Sequence, residues 1–360
     1  MLVKGNHNLK KYSGGILIVQ LGDIGDVVLT MPTIRALRDN FPENKLFVCV
    51  REAARELIED CQWANGVISI NKQKRSTIDN IIFQFNFIYT LRKYHFDIAI
   101  ELRTGTRGAI IAFLSGAACR IGRFSNDGRL WRNKFFTHLV SPANELSQYS
   151  AEHNLNIVSP FHLRIRDRLP VLIIPSKRKK MTQTILSKEN IPINKPIIAI
   201  HPFSLWKYKE WKTDRFISLI NHITAKYDFS IIITGSPEER LRANGMVEKC
   251  NTRVFNLAGK TSIGDLSGIL QACMLFIGVD TAGLHIAAAV GISTVGLFGP
   301  SSPICWAPRG NQHSVVSRSM SCVPCRQKGC QDSEFSLCLE ELTFQEVRKK
   351  VDGQIARMTI

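Results

Sequence analysis

The apolar run Ile16–Gln20 (ILIVQ) ends in Leu21-Gly22-Asp23-Ile24-Gly25-Asp26, two carboxylates set among glycines. A carboxylate in such a loop has two uses. It can cap the next helix by accepting backbone N–H groups, or it can take the proton of a nearby hydroxyl as a general base. Both uses stay open for Asp26 at this level. The loop is not G-x-G-x-x-G, and its two aspartates would repel a pyrophosphate resting on it. Gly22 and Gly25 allow a substrate close to the backbone.

A second constellation follows MLFIGV (Met274–Val279): Asp280-Thr281-Ala282-Gly283-Leu284-His285, running into IAAAVG. Asp280 and Thr281 are N-cap types, and a helix opening on small residues offers N–H groups to a phosphate. An ordinary capped helix with a core-facing His285 fits the spacing equally well. Past IIAI (Ile197–Ile200) come His201, Ser204, Lys207, Lys209 and Trp211. A lysine there suits a phosphate, although most surface lysines have no such role. Glu239, after SIIITG (Ser230–Gly235), falls in the first turn of a helix, where the dipole favours a carboxylate.

These residues must be held by elements, and the pattern supplies them. Strand-sized apolar runs alternate with helical stretches: ILIVQ, KLFVCV (Lys45–Val50), VISI (Val67–Ile70) and FDIAIEL (Phe96–Leu102), with helices at Glu52–Asp60 and Thr77–Tyr94. Continuous apolar strands with crossover helices predict a parallel α/β sheet. Between Pro170 and Pro196 the character changes to VLIIP, the charge run SKRKK, a helix at Met181–Lys188 and IPINKP. The rhythm then restarts through IIAI, SIIITG, MLFIGV and TVGLFG (Thr294–Gly299), with helices at Asp214–Lys226, Pro237–Cys250 and Leu284–Val290. We read a first domain over 1–175, a linker over 176–195 and a second domain over 196–360. The C-terminal helix is left free to fold back on the first domain.

At 360 residues the chain has room for two domains, and 44% hydrophobic with 21% charged residues excludes a disordered protein. No apolar run approaches the ~18 residues a bilayer requires, and the N-terminus lacks a signal-peptide core, so a cytoplasmic protein is expected. The net charge of +17 fits nucleic acid, an anionic membrane face or phosphorylated small molecules, or simply a solvated surface. It divides almost evenly between the halves and is densest over Arg92–Lys134, where nine basic residues face three acidic ones. No nucleic-acid module accompanies it, and no nucleic-acid partner is expected. Six of the ten cysteines stand singly in apolar or mixed segments. Cys322, Cys325, Cys330 and Cys338 are grouped, and the C-x2-C pair has zinc-ligand spacing, but the seven-residue gap before Cys338 suits a second knuckle poorly.

Taken together, ILIVQLGDIGDVVLTMP, IAIHPFSLWKYKEW, TGSPEER and GVDTAGLHIAAAVGISTVGLFGPSSP resemble glycosyltransferase family 9, the bacterial heptosyltransferases. The match runs in order over nearly the whole chain. CVPCRQKGC…CLEELTFQEV looks like the tail of heptosyltransferase II-type members, which explains the cysteine spacing without a metal.

The resemblance implies a GT-B fold: two Rossmann-like doubly wound domains facing a central cleft. It implies an inverting, metal-independent transfer of heptose from an ADP-sugar donor to the lipopolysaccharide inner core, with no cofactor. Asp26 then falls on the general base, Lys209 on the donor-phosphate lysine and Glu239 on the ribose carboxylate. Asp280, Thr281 and His285 fall on the donor motif, with Ser204, Ala282 and Gly283 beside them. Gly25, Arg103, Arg107, Arg120 and Arg123 are assigned to an anionic lipid-linked glycan acceptor at the inner face of the inner membrane, to which the protein is expected to bind peripherally. Gln20 departs from the Lys or Arg of many members, as do Gly22 and Asp23 from their serines. Another nucleotide sugar in the same fold is one alternative reading, and a basic nucleic-acid-binding protein is the alternative from a different class.

Overall fold

The computed structural model describes residues 2–6, 8–71, 76–127 and 129–358, which form two units, Met1–Pro170 and Val171–Ile360. In the first unit the strands are β1 (Leu2–Lys4), β2 (Gly15–Gln20), β3 (Leu46–Arg51), β4 (Gly66–Ile70), β5 (Phe96–Glu101), β6 (Cys119–Arg123) and β7 (His138–Val140). They lie in the order β1-β7-β6-β5-β2-β3-β4, every pair parallel except β1 with β7. In the second unit β8 (Ile197–His201), β9 (Ser230–Ile233), β10 (Val254–Asn256), β11 (Leu275–Val279), β12 (Ser293–Phe298) and β13 (His313–Ser317) form an all-parallel sheet ordered β10-β9-β8-β11-β12-β13.

Setting β1 aside, each sheet has the same order when its strands are numbered from its own start: 3-2-1-4-5-6. This is the doubly wound dinucleotide-fold order, and it reverses between β2 and β5 in one unit and between β8 and β11 in the other. At those reversals the loops leaving the two strands turn to opposite faces and open a crevice. The strands flanking them are apolar because helices cover both faces: every residue of β2 and of β11 is buried.

The stretch expected to be a linker belongs to the second unit. Leu172 and Ile174 are buried while Val171 and Ile173 face out, and the Leu172 amide donates to Ala289 O at 2.8 Å. The charge run SKRKK is the start of a helix, Ser176–Lys188, which buries Thr182 and Leu186. Gly264 and Gly268 on helix Ile263–Gln271 receive it: a Cβ at either would come within 2.4 Å of Arg178 or Thr182. Arg178 also pairs with Asp265 at 2.9 Å. The charged side chains hid an interface.

The C-terminal helix Phe344–Met358 likewise stays within the second unit. Val347, Val351 and Ile355, one turn apart, are fully buried in the same core as Ile198, Ile231 and Leu297. His222 and Tyr227 of the unit grip Asp352 at 3.0 Å each. A face apolar at i, i+4 and i+8 is what seats a helix on that core.

Candidate active site

In the first unit Asp26 lies in the short helix Ile24–Val28 at the carboxyl end of β2. Its Oδ2 accepts from the Asp23 amide at 2.9 Å, so Asp26 is indeed a cap. The same oxygen meets Arg103 Nη1 at 2.6 Å, and Arg103 follows β5, the strand across the reversal. No hydrogen bond reaches Asp26 Oδ1 among the described residues. Capping and base chemistry are therefore compatible: one oxygen is held and the other is left to a substrate. Gly22 is required for this arrangement, since a Cβ there would lie 2.3 Å from Asp26 Oδ2 and 2.6 Å from Arg103 Nη1. Gln20, buried at the end of β2, accepts the Gly22 amide at 3.1 Å and donates to Thr30 Oγ1 at 2.9 Å, fixing both ends of the loop. Gly25 sits on the same turn.

The other arginines divide. Arg107, near the start of helix Thr106–Leu114, is exposed and makes no side-chain hydrogen bond among the described residues. Arg120 is not gathered with Asp26: its Nε and Nη1 each donate at 2.6 Å to the carbonyls of Phe135 and Ala117. Arg123 pairs with Glu145 at 2.5 Å and is mostly covered. Of these four, Arg103 and Arg107 are exposed, and Arg51, also exposed, pairs with Asp23 of the Asp26 loop at 2.8 Å.

Beneath them lies a pair that sequence reasoning missed. Glu101, the last residue of β5, and Arg132 are 2% and 1% exposed and form an ion pair. Burial pushes the Glu101 carboxyl up to about 7 against the pull of Arg132. A carboxylate closing the apolar run IAI of β5 was the available signal, because a buried carboxylate demands a partner. Nothing in the sequence identified Arg132 as that partner.

In the second unit the 3-10 turn Lys207–Lys209 follows β8, and Lys209 Nζ meets Asp280 Oδ2 at 2.7 Å across the reversal. Asp280 is 5% exposed. Burial alone would raise its carboxyl, but the Lys209 ammonium and the His285 imidazole, whose Nε2 is 3.9 Å from Oδ1, hold it below the usual carboxylate range. One N–H of the ammonium is spent on Asp280 and two remain. Helix Ala282–Ala289 starts here with Thr281 as N-cap, and no side chain caps its first amides. Thr281 Oγ1 and, past β12, Ser302 Oγ are buried without a hydrogen-bond partner among the described residues. Such hydroxyls call for a ligand or ordered water. Gly283 packs against Phe276 and His201, where an added Cβ would stand 3.3 Å and 3.6 Å away.

Ser204 follows β8, and Glu239 follows the neighbouring strand β9. The Ser204 hydroxyl accepts the Trp206 amide at 3.2 Å, and its own amide donates to Glu210, so it builds the turn that carries Lys209. Glu239 accepts the Ser236 amide at 2.7 Å through Oε2, and its other oxygen carries no hydrogen bond among the described residues. Of the tail cysteines, Cys322 is exposed and Cys338 buried, and all four are free thiols. No three His, Cys, Asp or Glu among the described residues are grouped as a metal site.

Comparison with known proteins gives this geometry a family. Residues 84–335 match the model of glycosyltransferase family 9 (heptosyltransferase). Lipopolysaccharide heptosyltransferase 3 of Escherichia coli is 27% identical over 293 residues, 80% of this chain and 84% of its own. A glycosyl transferase family 9 structure from Veillonella parvula superposes with a TM-score of 0.82 at 18% identity, covering 98% of this chain and 100% of that one. The E. coli ADP-heptose lps heptosyltransferase II gives 0.79 at 18% identity, covering 96% and 100%. The two doubly wound units are those of the GT-B fold, and the chain belongs to glycosyltransferase family 9, the heptosyltransferases.

Proposed function

We propose that this chain transfers a heptose from ADP-heptose to the inner core of lipopolysaccharide, inverting the anomeric centre without a metal ion, with Asp26 as general base. The observation that carries this reading is the division of labour on the Asp26 carboxylate, Oδ2 held by Arg103 and Asp23 with Oδ1 left without a hydrogen bond among the described residues. The acceptor hydroxyl attacks C1 of the donor sugar and gives its proton to Oδ1. The bond from C1 to the phosphate oxygen breaks, and its electron pair leaves with ADP. The charge gained by the diphosphate is met by the remaining N–H groups of Lys209, the uncapped start of helix Ala282–Ala289 and the Thr281 and Ser302 hydroxyls. Asp280 orients the lysine, and the open oxygen of Glu239 suits a ribose hydroxyl. ADP-heptose and lipopolysaccharide are drawn from the relatives' names.

The acceptor reading rests on Arg103 and Arg107, whose planar forks suit phosphate and carboxylate. An acceptor of that kind is lipid-linked, which puts the reaction at the cytoplasmic surface of the inner membrane. No helix among the described residues is long and apolar enough to cross a bilayer. One feature of the first unit supports peripheral binding. Helix Thr77–Lys93 buries Leu91 beneath Phe87, yet it turns Ile82, Phe85 (70% exposed) and Tyr89 (72% exposed) outward at i, i+3 and i+7, ahead of Arg92 and Lys93. An apolar stripe with basic residues at its end suits an anionic interface.

A calorimetric panel of nucleoside diphosphates, followed by transfer assays with the matching sugars on lipopolysaccharide core acceptors, tests the reading. Tightest binding of ADP and transfer only from ADP-heptose are expected. Preference for another base, or transfer of a hexose, would replace the donor assignment while leaving the fold unchanged.

A further inference from the structure

The Glu101–Arg132 pair touches none of the reacting groups, yet its hydrogen bonds reach both sides of one residue, Arg103. Glu101 Oε1 accepts the Arg103 amide at 3.2 Å. Arg132 Nη2 donates to the other oxygen of Glu101 and, at 2.7 Å, to the Arg103 carbonyl. Nη1 donates to the Arg123 carbonyl at 2.5 Å and to Asn133 Oδ1 at 3.3 Å. The amide and the carbonyl of Arg103 are thus both gripped by a single buried ion pair, and the loops leaving β5 and β6 are joined through it. Gly108 allows the arrangement, since a Cβ there would lie 2.6 Å from Glu101 Oε1. Helix formation or sheet pairing alone would not require a guanidinium with donors directed at two separate loops. A core ion pair is also a poor means of gaining stability, because desolvation consumes most of the attraction.

We infer that Glu101 and Arg132 are positioning residues, a clamp that fixes the backbone of Arg103 so that its guanidinium meets Asp26 Oδ2 and leaves Oδ1 to the acceptor. This rests on the reading of Asp26 as base. Arg103 is half exposed at its tip, and a free arginine side chain would sample many rotamers. Fixing its root restricts where the tip can go, and it sets the direction of the carboxylate that the tip holds. A shift of about 1 Å in such a group costs on the order of 10²-fold in rate.

The test is a double-mutant cycle in the full-length chain, with Arg132→Lys, Arg103→Gln and both together compared for kcat, donor KM and melting temperature. Lysine keeps the charge but loses the fork that spans two loops. Arg132→Lys is expected to lower kcat roughly 10-fold to 10²-fold with donor KM unchanged, and to add nothing once Arg103 is already Gln. Losses that multiply in the double variant, or a lowered melting temperature with wild-type kcat, would overturn the clamp and leave a pair that merely stabilises the fold. If Arg132→Lys does not fold, Glu101→Gln carries the same cycle, since it keeps the volume but turns one acceptor into a donor. Asp26→Asn is measured alongside. Wild-type turnover in that variant removes the base assignment, while the Arg132–Arg103 cycle still reports on the clamp.

Discussion

Arg103 Nη1 lies 2.6 Å from Asp26 Oδ2, joining residues 77 positions apart across the reversal of the first sheet. Lys209 and Asp280 stand in the corresponding place in the second sheet, 2.7 Å apart. Each unit therefore carries a cation–carboxylate pair at its switch point. In the first the carboxylate keeps an open oxygen, and in the second the cation keeps open N–H groups. In the proposed mechanism the first pair serves as base and the second as anion site.

Gly22→Ala tests how tightly the first pair is built. The new methyl would stand 2.3 Å from Asp26 Oδ2, so the carboxylate and Arg103 must part. Transfer should fall on the order of 10²-fold while ADP affinity, which the proposal assigns to the second unit, holds. Wild-type turnover would mean that the Asp26–Arg103 geometry has no bearing on rate.

Lys209→Ala should weaken ADP binding by about 1.5–3 kcal/mol, the worth of a hydrogen bond to a charged group, and leave adenosine binding nearly unchanged. The melting temperature should drop as well, because Asp280, 5% exposed, loses its cation. Equal weakening of ADP and adenosine in calorimetry would remove Lys209 from the phosphates.

Acid should destabilise the fold through three buried imidazoles, although Glu101, whose carboxyl burial raises to about 7, pulls the other way over the same range. Burial pushes His201, His153 and His313 down from 6.5 to about 4, and His201 is held neutral with Nδ1 3.0 Å from Thr234 Oγ1. The unfolded chain takes up these protons near pH 6.5 and the folded chain only near pH 4, so protonation favours unfolding across that window. The melting temperature should therefore fall steadily from pH 7 to pH 4.5, and less steeply in His313→Gln. An identical profile in His313→Gln and the wild type would show that this imidazole protonates in the folded state.

Much of this was legible in the sequence, for a physical reason. Strands covered by helices on both faces must be continuously apolar, so ILIVQ, IIAI and MLFIGV marked themselves, and the residues just past them were the ones topology brings to the crevice. What could not be read was pairing over distance. Nothing local links Asp26 to Arg103 or Glu101 to Arg132, and the basic cluster looked uniform although Arg120 and Arg123 are engaged inside the unit. The supposed linker failed for a related reason. A run of lysines and arginines reads as solvated chain, but at helical spacing it leaves one face, Arg178, Thr182 and Leu186, free to pack.

The most direct measurement is turnover and ADP affinity in Asp26→Asn, which keeps the shape of the side chain and its bond to the Asp23 amide while removing the basic oxygen. The account predicts a loss of ~10²–10⁴-fold in transfer with ADP affinity and melting temperature close to wild type. Turnover at the wild-type rate would reduce Asp26 to a helix cap and contradict the mechanism.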